Sequence, residues 1–433
     1  MRSWIILIAI ALLALPACDE SDEADNGEET QQEETEEGDD DGDEAEEGDE
    51  DGDEEAAAEP EPVEGRIAIS LELDEEQQEA AEELVNGFRG SRFDHDQIDG
   101  KNALFFLDMA AENDNNYVVA GALHAMSQVF QPAHLLRDDD EDRLAVDEDY
   151  VTVVAAHLNS DNDQVLSNAI RASRSVLRDE EVGYDAVLPR LLEMATGPRP
   201  EVAYEVVEIL TAVHDGAENE EVIAAYVEVL NDSEPHIMSR ALFRLRHISR
   251  VEDAADELWD PVLAATEHDD PGVRGRAIEL LARLPGWGFS IDEERAQVVG
   301  ERAVEMFEDE NPFVRSRAAG ATASVDYVEA VPHLLELIDD HQRNTYDLEG
   351  WTQLDGRSGR LHHDGSAWSR VSDAALRALS QMRFDDRDMR FEYDSPSFGS
   401  DEEMEEQLSE QADRARAWFE ENQAGIEEGF ASQ

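Results

Sequence analysis

Side chains able to do chemistry gather in one stretch, HQRNTYDLEGWTQLDGRSGRLHHDGSAW at residues 341–368. Three chemistries are open to it. By type, His341, His362, His363 and Asp364 form a metal-binding set, although adjacent histidines need a turn, such as the following Asp-Gly, before both face one ion. Asp355 or Asp364 beside a histidine makes an acid and base pair. Trp351, Asp355, Arg357, Arg360 and Trp368 suit protein recognition, because large aromatics and guanidiniums dominate interface hot spots. No nucleophile, phosphate loop or glycine-rich dinucleotide motif accompanies them. Catalysis is therefore the poorer reading, with no cofactor and no metal implied. The two tryptophans, two arginines and Asp355 are the expected partner contacts.

This stretch interrupts a repeat. Val118 is followed at four and five residues by Ala122 and Leu123, and Val165 by Ala169 and Ile170. The spacing recurs from Val202, Ile237, Val273, Val314 and Val371. The intervals between these positions are 47, 37, 35, 36, 41 and 57 residues. Positions i, i+4 and i+8 share a helical face, and a small residue at i+4 lets two helix backbones approach closely. A period near 40 with two apolar helices per unit is the signature of a helical solenoid. The spacing predicts helix pairs near 101–111 and 116–130, 147–158 and 163–177, 184–195 and 200–213, 220–230 and 235–248, 254–265 and 271–284, and 292–308 and 312–324. The insertion at 340–370 separates the last pair, 328–339 and 371–382. Asn115, Asp161, Asp232 and Asp270 precede second helices as expected caps. Pro200, Pro235, Pro271 and Pro312 sit in first turns, where the missing N–H costs nothing. Residues 131–143 form a second long, acidic connection.

Asp270, Pro271, Val273, Arg274, Ala277 and Leu281, then Asn311, Pro312, Val314, Arg315 and Ala318, carry a family likeness. Ala330, Val331, Pro332, Leu334, Leu335 and Leu337 read as that family's first helix. The pattern resembles HEAT-like repeats, and among them the subtype first noted in phycobilisome-lyase-like proteins. The resemblance implies an all-α, α-α superhelical solenoid of about seven HEAT-like helix pairs over 100–385. It also implies a binding scaffold more than an enzyme. Arg274 and Arg315, just inside helices after acidic turns, are expected to form salt bridges with acidic turns of neighbouring repeats.

The amino end has a different character. Arg2 precedes an apolar core at 4–15, which has signal-peptide length and is too short for a comfortable membrane span. Leu15, Pro16, Ala17 and Cys18 then resemble a bacterial lipoprotein processing box, and Cys18 is the single cysteine of the chain. Lipid on Cys18 would hold the exported protein at a membrane, with no disulfide possible within it. Asp19 resembles an inner-membrane retention signal, a rule that varies between lineages, so either membrane stays open. Residues 19–63 are almost wholly Glu, Asp, Gly and Ala, without a basic or aromatic residue. They cannot bury enough apolar area to offset ordering entropy and read as a disordered tether. Residues 64–99 read as an amino-terminal cap, with a helix at 73–88 capped by Asp74. Residues 386–433 read as a linker and a final helix, 401–421, carrying Leu408, Ala415, Trp418 and Phe419.

Lys plus Arg number 33 against 108 Asp plus Glu, a formal net charge of −75, and Lys101 is the only lysine. Such a chain repels nucleic acid and anionic surfaces. Acid-rich, lysine-poor composition resembles that of proteins adapted to salt, which screens self-repulsion. The combined expectation is a non-catalytic protein-binding scaffold at the bacterial cell envelope, anchored through Cys18, whose partner is another envelope protein. The alternatives are an enzyme or metal-binding protein using 341–368, or a purely structural envelope component.

Overall fold

The computed structural model describes residues 100–432, apart from 133–135, 137–143, 180–181, 183, 214–215, 249, 287–291, 353, 355–357, 365–369, 384–388 and 395–399. Cys18, the expected signal segment and tether, and the expected helix at 73–88 lie outside the described residues.

Among the described residues, fourteen helices stack as seven pairs within the unit Gly65–Gln433. The pairs are α1 (Gly100–Glu112) with α2 (Asn116–Val129), α3 (Glu148–His157) with α4 (Asp163–Leu177), and α5 (Leu188–Ala195) with α6 (Pro200–Leu210). Next come α7 (Glu220–Asp232) with α8 (Pro235–Leu245), α9 (Ala255–Ala265) with α10 (Pro271–Leu281), and α11 (Glu293–Glu305) with α12 (Pro312–Ser324). The seventh pair is α13 (Val331–Leu337) with α14 (Val371–Gln381), and a final helix, α15, spans Asp401–Ser432.

Local chemistry sets the starts of the second helices. The Asn115 side chain accepts from the Tyr117 N–H at 3.0 Å, and Asp270 accepts from Val273 at 3.0 Å. Two expected caps shift. Asn162 rather than Asp161 caps α4, accepting from Val165 at 3.1 Å. Asp232 belongs to the end of α7, and α8 starts from Glu234 without a side-chain cap bond, its Pro235 occupying the first turn. Pro235 has no N–H to satisfy there, which removes one reason for a cap.

The repeated positions form the seam of the stack. Val118, Val165, Val202, Ile237, Val273, Val314 and Val371 are buried, and so is the residue four positions on in every pair. Each fully buried aliphatic side chain contributes about 1.5–3 kcal/mol. Through this seam each second helix packs on the next, from α2 to α14. Tyr150 on α3 and Tyr226 on α7 stitch the layers, donating to the carbonyls of Ala172 (2.9 Å) and Val207 (3.0 Å). The α15 helix closes the carboxyl end on α13 and α14, burying Met404, Leu408, Ala412 and Ala415, with Trp418 Nε1 donating to the Met389 carbonyl at 2.7 Å.

Two short sheets interrupt the helices. Strands β1 (Phe130–Gln131) and β2 (Leu144–Ala145) pair in parallel across the long acidic connection. The 340–370 insertion, which has no helical periodicity, carries an antiparallel hairpin of β3 (Thr345–Thr352) and β4 (Ser358–Asp364), with a register shift between Glu349 and Trp351. An Arg343–Arg370 bridge closes its base, and the Val371 and Ser372 N–H groups donate to the carbonyls of Gln342 and Asp340. The hairpin therefore leaves and re-enters the solenoid at one point, and the seventh helix pair forms despite it.

Candidate functional site

The hairpin receives part of the sequence-predicted set. Trp351 stands in β3 opposite Gly359, and Arg360 in β4 opposite Glu349. Asp355, Arg357 and Trp368 lie outside the described residues. His362 and His363 are consecutive in β4, opposite Asp347 and Tyr346, with Asp364 opposite Thr345. His341 stands at the base, its carbonyl accepting from Arg370 Nη1 at 3.0 Å and its Nδ1 lying 3.4 Å from Ser372 Oγ. Among the described residues, no three His, Cys, Asp or Glu side chains are grouped to hold a metal ion.

The expected ion pairs of Arg274 and Arg315 are present. Arg274 forks onto Asp309 of the next repeat, with Nε–Oδ2 of 2.8 Å and Nη2–Oδ1 of 2.9 Å, and its Nη1 donates to the carbonyls of His268 and Asp269. Arg315 repeats the arrangement one unit on, with Nε 2.8 Å from Asp340 Oδ2 and Nη1 donating to the Asp309 carbonyl. An open cleft of about 560 Å³ beside Arg315 is lined by Asp309, His333, Glu336 and Asp340. Its one arginine is thus already committed to the repeat-to-repeat ladder.

A different set of arginines gathers on the second helices. Glu208 on α6 receives Arg240 and Arg244 of α8. Glu279 on α10 receives Arg246, at the end of α8, and Arg317 of α12 at 3.2 Å. Phe243 lies among Arg240, Arg244, Arg246 and Arg276, whose guanidinium carbons stand 5.5, 5.6, 5.3 and 4.4 Å from the ring centre. Arg240 also stands 5.6 Å from the Tyr204 ring, and Arg283 Nη1 donates to the Arg246 carbonyl. A cation over an aromatic face is held by the ring quadrupole, worth about 0.5–2 kcal/mol.

Charge on this face is unbalanced in the direction opposite to the whole chain. Glu208 and Glu279 each serve two arginines. The Nε–H groups of Arg240, Arg244, Arg246 and Arg317 are buried and find no acceptor among the described residues. Burial pushes the Arg246 guanidinium down to about 10, helped by Arg317 and Arg283. Burial also lowers Arg240, Arg244 and Arg317, with Arg174 of α4 adding to the effect at Arg244. The His247 imidazole is lowered by burial and by four neighbouring arginines. Arg246, at about 10, stays cationic at neutral pH, whereas His247, lowered below its ordinary value, adds no charge there.

Hairpin and arginine row share an edge. Strand β3 lies against α10 and α12, and Leu354, in the turn after it, is 3% exposed and joins the core. The row itself is not legible in the sequence. The spacing of Arg240 and Arg244, four residues apart, places both on one face of a helix, but only the stack decides which face that is.

A family model described as HEAT repeats matches residues 260–346, from α9 to the start of β3. No curated protein matches the chain in sequence. Among solved structures, the chain resembles an engineered protein at 14% identity and a TM-score of 0.37, over 78% of this chain and 99% of that one. It resembles importin beta at 13% identity and 0.45, over 72% of this chain and 40% of importin beta. It resembles Kap121p at 12% identity and 0.41, over 72% and 32%.

Proposed function

We propose that the chain is a non-catalytic protein-binding scaffold, held at a bacterial cell envelope by lipid on Cys18. The observation that carries the binding role is the continuous row of second helices, on which the partly exposed Arg240, Arg244, Arg246 and Arg317 share Glu208 and Glu279, three of them beside Phe243. Arginines beside an aromatic ring are side chains that dominate interface hot spots. The hairpin adds a second contact region. Trp351, Asp355, Arg357, Arg360 and Trp368 are assigned to it on their chemistry, and the position of β3 against α10 and α12 supports a role beside the row. Anchoring rests on the Leu15, Pro16, Ala17, Cys18 box and on the absence of any other cysteine. Kinship with the phycobilisome-lyase-like subtype rests on the motifs around Val273 and Val314. The partner is another envelope protein.

The test fractionates cells expressing the chain or its Cys18→Ser variant. Membrane association and a captured envelope protein are expected for the first. Release, or an unprocessed precursor, is expected for the second. Unchanged processing and membrane retention of the variant would exclude the lipid anchor. Catalytic turnover of any substrate at the hairpin would exclude the non-catalytic reading.

A further inference from the structure

The partner segment can be named by its chemistry. Carboxylates outnumber basic side chains 108 to 33 in the chain. On the second helices the local balance differs: Arg240, Arg244, Arg246 and Arg317 share Glu208 and Glu279, and Arg174 of α4 adds its charge at Arg244. Guanidiniums present rigid forks that match carboxylates, and a charge-assisted pair is roughly twice as strong as a neutral hydrogen bond. The arginines are held in place by Phe243 and by the two glutamates, so little side-chain entropy remains to be lost when a ligand arrives.

Length distinguishes a peptide from a small anion. Neighbouring packed helices lie about 8–10 Å apart. Four such steps from α4 to α12 make a row of roughly 35 Å, and an extended chain advances about 3.3–3.6 Å per residue. About ten residues fit along it, whereas one phosphate or sulfate meets two or three guanidiniums at most. From this we infer that the arginine row binds an extended, glutamate- and aspartate-rich segment of a partner protein, about ten residues long. The inference rests on the scaffold reading and gives that scaffold a ligand class.

It also runs against the long-range field. A chain of net charge −75 repels an acidic peptide at a distance, so recognition has to come from desolvated contacts at short range. At physiological salt the Debye length is about 8 Å, which suppresses the distant repulsion more than contacts at hydrogen-bond distance. Affinity for an acidic peptide is therefore expected to rise between 10 and 150 mM salt, as the Debye length falls from about 30 to about 8 Å. Ordinary ion pairing between opposite net charges falls over the same range.

The experiment titrates a labelled dodeca-glutamate into the full chain and follows fluorescence anisotropy. Saturable 1:1 binding is expected, together with a drop of about tenfold or more in the Arg244→Gln/Arg317→Gln variant. Arg190→Gln, on the first-layer helix α5, is expected to leave affinity unchanged, since Arg190 pairs with its exposed neighbour Glu193 on α5 itself. If the double variant loses its helical circular dichroism, Arg244→Lys serves instead. It keeps the charge, removes the fork and is expected to weaken binding by roughly threefold. Absence of dodeca-glutamate binding overturns the inference, as does equal loss in Arg190→Gln. Tetra-glutamate binding as tightly as the dodecamer also overturns it, because the site would then be a point and not a row. A dodeca-lysine titration separates the two readings. If it binds and the glutamate peptide does not, the acidic-ligand inference fails and the scaffold reading stands. If dodeca-glutamate binds but no envelope protein is captured, the scaffold reading fails and the row remains an acid-binding face.

Discussion

Single side chains decide how closely the helices meet. A Cβ on Gly300 would stand 2.1 Å from Tyr327 Cγ, whereas one on Gly320 would meet nothing within 4 Å. Gly300→Ala is therefore expected to destabilise by about 1–3 kcal/mol through overpacking, because the ring atom it strikes is near the fixed root of the side chain. Gly320→Ala, inside α12, is expected to stabilise by about 0.5–1 kcal/mol, since glycine carries an entropic cost in a helix. Urea midpoints of the two variants read both signs in one assay. Asp309 tests the ladder. Its carboxylate faces two Arg274 N–H groups with both side chains mostly buried. Asp309→Asn keeps the shape and removes the charge. A loss of about 2 kcal/mol is expected from the weakened charge-assisted bonds, read as a lower midpoint with an unchanged urea slope. A shift below a few tenths of a kcal/mol would mean that solvent screens this pair as it does an exposed one.

Elements divide into those that build the stack and the one that decorates it. The spans read as helix pairs depend on apolar seams, but the hairpin depends on two closures: the Arg343–Arg370 bridge at its base and Leu354 in its turn. Replacing 345–364 by a short glycine linker should leave the mean-residue helical signal intact, because α13 and α14 keep their own contacts and α15 still covers them. The same variant is expected to lose capture of the envelope partner. Retained capture with a collapse of the melting transition would show that the hairpin serves the core and that binding lies wholly on the arginine row. The position of β3 beside α10 and α12 makes some stability loss, about 2 kcal/mol for the uncovered Leu354 site, compatible with the first outcome.

For the whole molecule, electrostatics dominates. With 108 acidic against 33 basic side chains, compaction brings like charges together, and salt relieves the repulsion within a Debye length. The melting temperature of the domain starting at residue 64 is expected to rise from 10 mM to 1 M NaCl, by on the order of 10 °C. A fall over that range would mean that ion pairs such as Arg274–Asp309, which salt weakens, outweigh the general repulsion. The arginine distribution makes the first outcome the expected one: many of the cations are already drawn into the seams and the row, where screening is weakest.

The heptavalent spacing of Val118 to Val371 determined the fold by itself, because burying one face at a period of about 40 residues leaves a stacked pair of helices as the solution. Helix limits followed where local chemistry was decisive. The 163–177 and 312–324 spans agree to the residue with α4 and α12. The 184–195 span shortened to Leu188–Ala195, and Pro189, confined to a first turn, is the reason. The ladder roles of Arg274 and Arg315 were legible too, since an arginine after an acidic turn has a carboxylate one repeat away. The hairpin was not legible: its strands are paired by residues up to 19 positions apart, Thr345 with Asp364, and no helical or alternating apolar period marks them. Nor was the arginine row. Arg174, Arg240, Arg244, Arg246 and Arg317 come from separate repeats, and their charges add up only because the stack turns the same face of α4, α8 and α12 to one side. Which carboxylates pair with them, Glu208 and Glu279 for four of the five, is a property of packing distance, and distance is what the tertiary structure supplies.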